Sequence, residues 1–105
     1  MNQTINSQQD IFVTELELWR AKGAQLIDVR EPFEFVQGHV PGAKNIPLDQ
    51  IVNVAPTLIG SIVLICASGG RSSQAAQYLV TLGQVEIANL VGGTFAYAQA
   101  GLALE

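Results

Sequence analysis

The 105-residue sequence contains only one cysteine and one histidine, and this scarcity excludes several kinds of site. A single cysteine has no partner for an intramolecular disulfide. A zinc site of the Cys/His kind takes about four ligands, so we expect no metal centre. Whatever chemistry Cys66 performs, it performs alone or with a second molecule.

Charged residues are also scarce: they make up 13% of the chain, against about 25% in average soluble proteins. Five Lys and Arg against nine Asp and Glu give a net charge of −4. No basic run appears, so we expect no nucleic-acid surface, because neutralising phosphates takes clustered cations.

Long apolar segments are missing as well. The longest apolar run, residues 62–67, is far shorter than the ~20 residues that span a bilayer. The start of the chain has no basic segment followed by an apolar stretch. We therefore expect no signal peptide, no membrane association and a cytoplasmic location.

What the chain does contain is ample apolar material, 49% of its residues, in short runs that alternate with helical patterns. Residues 1–10 are polar, and we expect a flexible segment there followed by one domain over residues 11–105. Short apolar runs predict strands at 26–29, 43–46, 62–65 and 85–91. Helical spacing predicts helices at 14–22, 32–37, 72–82 and 93–101, with a helical turn at 49–52.

Two features support the predicted helix ends and the fold class. Thr14 and Glu17 have the spacing of a capping box, and Gly23 is a plausible helix stop. Strands that alternate with helices predict an α/β fold with a small, mostly parallel sheet and helices on both faces.

The most informative segment runs from Cys66 to Ser72, between the most apolar strand and the strongest helix. Ligands of open α/β sheets bind where the chain leaves the carboxyl end of a strand. A cysteine there faces the N-terminus of the next helix, whose free N–H groups favour a thiolate. Gly69 and Gly70 allow the backbone to curl into an anion-binding nest, and Arg71 adds a fixed guanidinium.

The structural alternative for Cys66 is a buried cysteine that behaves as a small hydrophobe. On that reading Gly69 and Gly70 form an ordinary turn, with Ser72 as the N-cap of the helix. Two glycines and an arginine beside the cysteine favour a nucleophile. His39, in a turn, is better explained as a structural residue than as a general base.

At this loop the sequence resembles the rhodanese family of sulfurtransferases, which carry sulfur as a cysteine persulfide. Cys66 to Arg71 has the Cys-x-x-Gly-x-Arg form of the family's active-site loop. Three further segments are similar to family blocks: residues 28–31 with 34–35, residues 38–43 with 45–47, and the pair Gly92-Gly93. The resemblance extends from about Val13 to Gly101 and implies a single rhodanese-like domain.

The resemblance implies a role for each matching residue. Cys66 would be the nucleophile that holds the persulfide, and the backbone N–H groups of Ala67, Ser68, Gly69, Gly70 and Arg71 would stabilise it. Arg71 would either bind the anionic donor or brace the loop through a carboxylate.

Two further residues and the ligands follow from the same resemblance. Asp28 would support the loop, and Arg30 would add positive potential or pair with Glu31 or Glu34. The donor would be thiosulfate or another persulfide, and the acceptor cyanide, a thiol or a partner protein. No organic cofactor is implied, and the oligomeric state stays open.

Two other functions compete with sulfur transfer. A rhodanese-like module can serve binding alone, or carry sulfur to one dedicated partner. A phosphatase or arsenate reductase also joins Cys to Arg through an anion loop, but its signature has five intervening residues where Cys66 and Arg71 are separated by four. The shorter loop favours a pocket for one sulfur atom.

Overall fold

The computed structural model describes residues 8–84 and 86–105, which are built around one five-stranded sheet. The strands are β1 (Gln9–Ile11), β2 (Gln25–Asp28), β3 (Lys44–Asn45), β4 (Ile62–Ile65) and β5 (Ile87–Leu90). Their order across the sheet is β1-β5-β4-β2-β3, and all neighbouring pairs are parallel. The predicted α/β class and parallel sheet are confirmed, and β4 lies at the centre.

Helices cover both faces of this sheet, as predicted. They are α1 (Val13–Ala21), α2 (Pro32–Phe35), α3 (Ile51–Val54), α4 (Gly70–Thr81) and α5 (Gly93–Gln99), with short 3₁₀ turns on either side of α3. Successive side chains of β4 point to opposite faces. Ile62 and Leu64 therefore pack in a cluster with α3 and α4, whereas Val63 and Ile65 pack in a second cluster with α1 and α5.

The N-terminal part of the domain differs from the prediction. Residues 1–7 of the expected flexible segment lie outside the described residues. Gln9 and Asp10, however, belong to β1, and they pair in register with Ala88 and Asn89 of β5. The sheet therefore includes two residues before the predicted domain boundary at residue 11. The first residue of the strand predicted at 85–91 also lies outside the described residues.

Two helices begin earlier than their sequence signals suggested. The N-terminal cap of α1 is formed by Glu15, whose carboxylate accepts the Phe12 backbone N–H at 2.8 Å, so the predicted Thr14 cap is wrong. The strand β1 ends at Ile11 and leaves only one linking residue before the helix. In α4 the cap position is Gly69, so Ser72 lies inside the first turn and is no N-cap.

Candidate active site

The candidate site lies where the chain leaves β4 and turns into α4. All strands are parallel, so the segments that follow β2, β4 and β5 meet at the same edge of the sheet. Gly69 makes the turn with φ +112°, a conformation that L side chains rarely adopt. Gly70 is the first residue of α4 and has no positive φ, so only one of the two loop glycines is required by backbone conformation.

The Cys66 side chain lies at the base of this loop, with 1% of the residue exposed. The Gly69 N–H donates to Sγ at 3.0 Å, and the Ser72 Oγ lies 3.3 Å from Sγ. Burial raises the pKa of the Cys66 thiol, but hydrogen bonds from the Ser72 hydroxyl and from the backbone N–H groups of Ser72, Gly69 and Ser68 outweigh it. The pKa is therefore held below its ordinary value, which favours a thiolate.

The first backbone N–H groups of α5 bind the carbonyls of the loop that contains Cys66. The Thr94 and Phe95 N–H groups donate to the carbonyls of Cys66 and Ala67 at 2.9 and 3.0 Å. A Cβ added to Gly93 would lie 2.2 Å from the Cys66 carbonyl oxygen. A glycine is therefore needed at this position, because the two backbones approach too closely for any side chain.

Arg71 forms a bidentate ion pair with Glu34 of α2. Its Nη1 and Nη2 donate to Oε1 and Oε2 at 2.8 and 3.0 Å. The Arg71 hydrogen bond lowers the pKa of Glu34 to about 2, and the same contact raises the pKa of Arg71. The loop is thus braced to α2 through a carboxylate, one of the two roles expected for Arg71.

Asp28 and Arg30 form a second, buried pair at the end of β2. Arg30 donates from Nε and Nη2 to the Asp28 carboxylate at 2.8 to 3.1 Å, and Nη2 also reaches the Gly38 carbonyl at 2.8 Å. The expected pairing of Arg30 with Glu31 or Glu34 is therefore wrong. Arg30 still contributes to the low pKa of Glu34 through its charge, so the two ion pairs are neighbours.

Three residues at the site have partners that the sequence did not indicate. Glu34 was expected only as a partner of Arg30 and Ser72 only as a helix cap, and Asn89 was not singled out. Ser72 follows Arg71 directly at the start of a helix, which was a usable signal. Glu34 lies in α2 and Asn89 lies in β5, so both reach Arg71 and Ser72 only in the folded sheet.

His39 has a structural role. Its Nδ1 donates to the Phe35 carbonyl at 2.9 Å, and its ring stacks on Phe35 with 3.7 Å between centroids. Over residues 8–84 and 86–105, no group of three or more His, Cys, Asp or Glu side chains could hold a metal ion. No helix in the same part of the chain is long and apolar enough to cross a membrane.

Comparison with known proteins supplies the family. The model of the rhodanese-like domain matches residues 12–100. The chain belongs to the rhodanese-like domain family. This confirms the resemblance drawn from the four sequence blocks, because the match covers most of the domain.

Curated relatives of this rhodanese-like domain include a sulfurtransferase of Allochromatium vinosum, 38% identical over 73% of this chain and 74% of that protein. The thiosulfate sulfurtransferase GlpE of Pseudomonas aeruginosa is 31% identical over 81% of this chain and 79% of that protein. An uncharacterised Bacillus subtilis protein is 49% identical over 67% of this chain. The chain spans about half the length of that protein and of a Synechocystis relative, 57% and 44%.

Solved structures show the same fold. A rhodanese-related protein of Thermoplasma volcanium superposes with a TM-score of 0.83 and 29% identity, covering 92% of this chain and 97% of that one. A human single-domain sulfurtransferase superposes with a TM-score of 0.77 and 26% identity, with the same coverage of both chains. Residues 8–84 and 86–105 therefore fold as one rhodanese-like domain.

Proposed function

We propose that this protein is a sulfurtransferase that carries sulfane sulfur as a persulfide on Cys66. The observation that carries the proposal is the environment of Sγ: a buried sulfur that receives the Gly69 N–H at 3.0 Å and lies 3.3 Å from the Ser72 hydroxyl. These donors favour the thiolate, which is the nucleophilic form of cysteine. Relatives named sulfurtransferase support the same conclusion.

The reaction has two steps on one sulfur atom. The Cys66 thiolate attacks the outer sulfur of thiosulfate, the S–S bond of the donor breaks, and sulfite leaves with the electron pair. The outer sulfur of the persulfide then carries the negative charge, which loop N–H groups stabilise. Cyanide, a thiol or a partner protein attacks that sulfur, and the Cys66 thiolate is restored. With no second cysteine in the chain, the sulfur leaves to an outside acceptor.

In this proposal Arg71 links the loop to α2 and has further N–H groups that can bind an anionic sulfur donor. Two of the five N–H groups of a guanidinium engage Glu34. The side chain is 38% exposed, which leaves it accessible to an anionic donor. Asp28 and Arg30 support the same edge of the sheet from β2. Thiosulfate as donor belongs to this proposal, and a cytoplasmic location stays a prediction.

Intact-protein mass spectrometry tests the proposal directly. Wild-type protein should gain one sulfur atom on incubation with thiosulfate and lose it to cyanide, whereas Cys66→Ser should do neither. Arg71→Ala should still gain sulfur but require a higher thiosulfate concentration, because the brace and the positive charge are lost.

Failure to gain sulfur from thiosulfate, from a low-molecular-weight persulfide and from a protein persulfide would overturn the proposal. Sulfur gained equally by Cys66→Ser would overturn the assignment of the nucleophile. Hydrolysis of a phosphate ester by the wild type, lost in Cys66→Ser, would favour the phosphatase alternative instead.

A further inference from the structure

Beyond Ser72 lie two polar side chains, Asn89 and Asp10, that sulfur transfer as described above does not use. Ser72 Oγ lies 2.5 Å from the Asn89 Oδ1 of β5. Asn89 Nδ2 in turn donates to the Asp10 carboxylate of β1 at 3.3 Å. Ser72 and Asn89 are 0% and 5% exposed, so water has little access to compete for these contacts.

The Asp10 contact fixes which way the Asn89 amide points. The amide nitrogen donates to Asp10 Oδ1, so the amide oxygen faces Ser72. An amide oxygen only accepts. The Ser72 hydroxyl is therefore the donor whenever it bonds Asn89 Oδ1.

The Ser72 hydroxyl has one proton and two acceptors within reach, Asn89 Oδ1 at 2.5 Å and Cys66 Sγ at 3.3 Å. It donates to one of them at a time. When the hydroxyl donates to Asn89, it therefore cannot donate to Cys66 Sγ. The two states differ by rotation about the Cβ–Oγ bond of Ser72.

We propose that Asn89 is a positioning residue that competes with Cys66 for the Ser72 proton and so limits how strongly the loop stabilises charge on Sγ. The inference rests on the proposed function for its role in turnover. Negative charge resides on Sγ in the free enzyme and on the outer sulfur in the persulfide. The hydroxyl turns to Asn89 while the outer sulfur carries the charge. It returns to Sγ when the acceptor removes that sulfur.

Other charged groups around the site stay in place in every variant considered below. Asp10 faces Asn89 from β1. Arg71 of α4 interacts through its charge with Cys66 and with Asp28 of β2. The Asn89 variants also remove the hydrogen bond to Asp10, so the Ser72→Ala background is needed to separate that change from the effect of the Ser72 proton.

The test is the pH dependence of Cys66 alkylation by iodoacetamide, measured in the full chain. Asn89→Leu removes the competing acceptor at similar volume, so the midpoint of the profile should move to lower pH. We expect the midpoint to fall by about one pH unit, a tenfold change in acidity, because a hydrogen bond to a charged group is worth at least that much. Ser72→Ala should move the midpoint to higher pH.

The decisive comparison is the double variant. Asn89→Leu should have no further effect in a Ser72→Ala background, because there is no hydroxyl left to release. Asn89→Ala, which leaves a small space in place of an apolar side chain, should shift the midpoint in the same direction as Asn89→Leu. The matched control is Asn53→Leu, an exposed asparagine of α3 that contacts Gln50, which should leave the profile unchanged.

An unchanged or raised midpoint in both Asn89 variants would overturn the inference, as would an equal fall in the Ser72→Ala background. Alkylation requires no sulfur donor. If the midpoints move as expected while the wild type gains no sulfur from any donor, the proposed function fails and the role of Asn89 stands.

Discussion

Cys66 is deeply buried, yet its pKa lies below the ordinary value. Burial alone would keep the thiol neutral, because a thiolate loses its hydration. Directed donors reverse the balance: the Gly69 N–H and the Ser72 hydroxyl face the sulfur. Reactivity at this residue therefore depends on the geometry of the turn more than on exposure.

Glu34→Gln tests the brace between the loop and α2. The pKa of Glu34 is lowered from 4.5 to about 2 by the Arg71 hydrogen bond. A lowered pKa in the folded state stabilises the protein above the unfolded value and loses that stabilisation as the pH falls. We expect wild type to exceed Glu34→Gln by about 1 kcal/mol at neutral pH, a figure reduced by the partial exposure of Arg71. The gap should shrink steadily below pH 4.5 towards pH 2.

Urea unfolding at a series of pH values measures this gap. The control is Glu17→Gln, which removes an exposed partner of Arg20 and should change the unfolding free energy little at any pH. A gap between wild type and Glu34→Gln that stays constant down to acid pH would contradict the brace.

The sequence predicted the site residues that lie together in one short segment, but not those that come from distant parts of the chain. Cys66, Gly69 and Arg71 share one short segment, so their spacing reveals them. Glu34 and Asn89 reach the site from α2 and β5. Their ordinary neighbours gave no signal, because the contact exists only once the parallel sheet forms.

Among the helices, α5 contributes most to the shape of the loop, since its first N–H groups bind the carbonyls of Cys66 and Ala67. Gly93→Ala should force these backbones apart and cost about 3 kcal/mol of unfolding free energy, because the new Cβ meets backbone atoms that cannot move aside cheaply. It should also slow alkylation of Cys66. Chemical denaturation and thiol alkylation together measure the two effects.

Gly60→Ala is the matched control for that substitution. Gly60 also has a positive φ, +81°, but a Cβ there would meet nothing within 4 Å. Its cost should be backbone strain alone, about 1 kcal/mol, with no change in thiol reactivity. Equal losses for the two variants would show that the contact with Cys66 does not matter.

Element type was predicted better than element ends. The run 62–65 became β4 as expected, because four apolar β-favouring residues suit a strand buried on both faces. The starts of α1 and α4 were misplaced. Capping by Glu15 and the left-handed turn at Gly69 start these helices before the residues that looked like caps.

At the scale of the whole molecule, β1 is the fifth strand of the sheet, and it starts at Gln9, before the domain boundary predicted at residue 11. Ile11 is 2% exposed and packs in the cluster that contains Leu16 and Trp19. Ile11→Ala should cost about 3 kcal/mol of unfolding free energy, the usual loss for a buried isoleucine. Ile59→Ala, at a residue 74% exposed, should cost almost nothing.

Guanidinium unfolding of the two isoleucine variants decides the point. A loss at Ile11 no larger than at Ile59 would mean that β1 is dispensable to the domain. The strand escaped the sequence analysis because its three residues include two polar ones, and polar side chains at a sheet edge look like an unstructured tail.

Cys66 is the single thiol among 105 residues, and its surroundings come from connections after β4 and β5 that are far apart in the chain. In the unfolded chain the sulfur regains water and loses its donors, so its acidity returns to that of an ordinary cysteine. Below the pKa of an ordinary thiol, Cys66 should therefore be labelled faster in native molecules than in unfolded ones, the reverse of most buried thiols. The protein thus contains its own probe for counting folded molecules, with no fluorophore added.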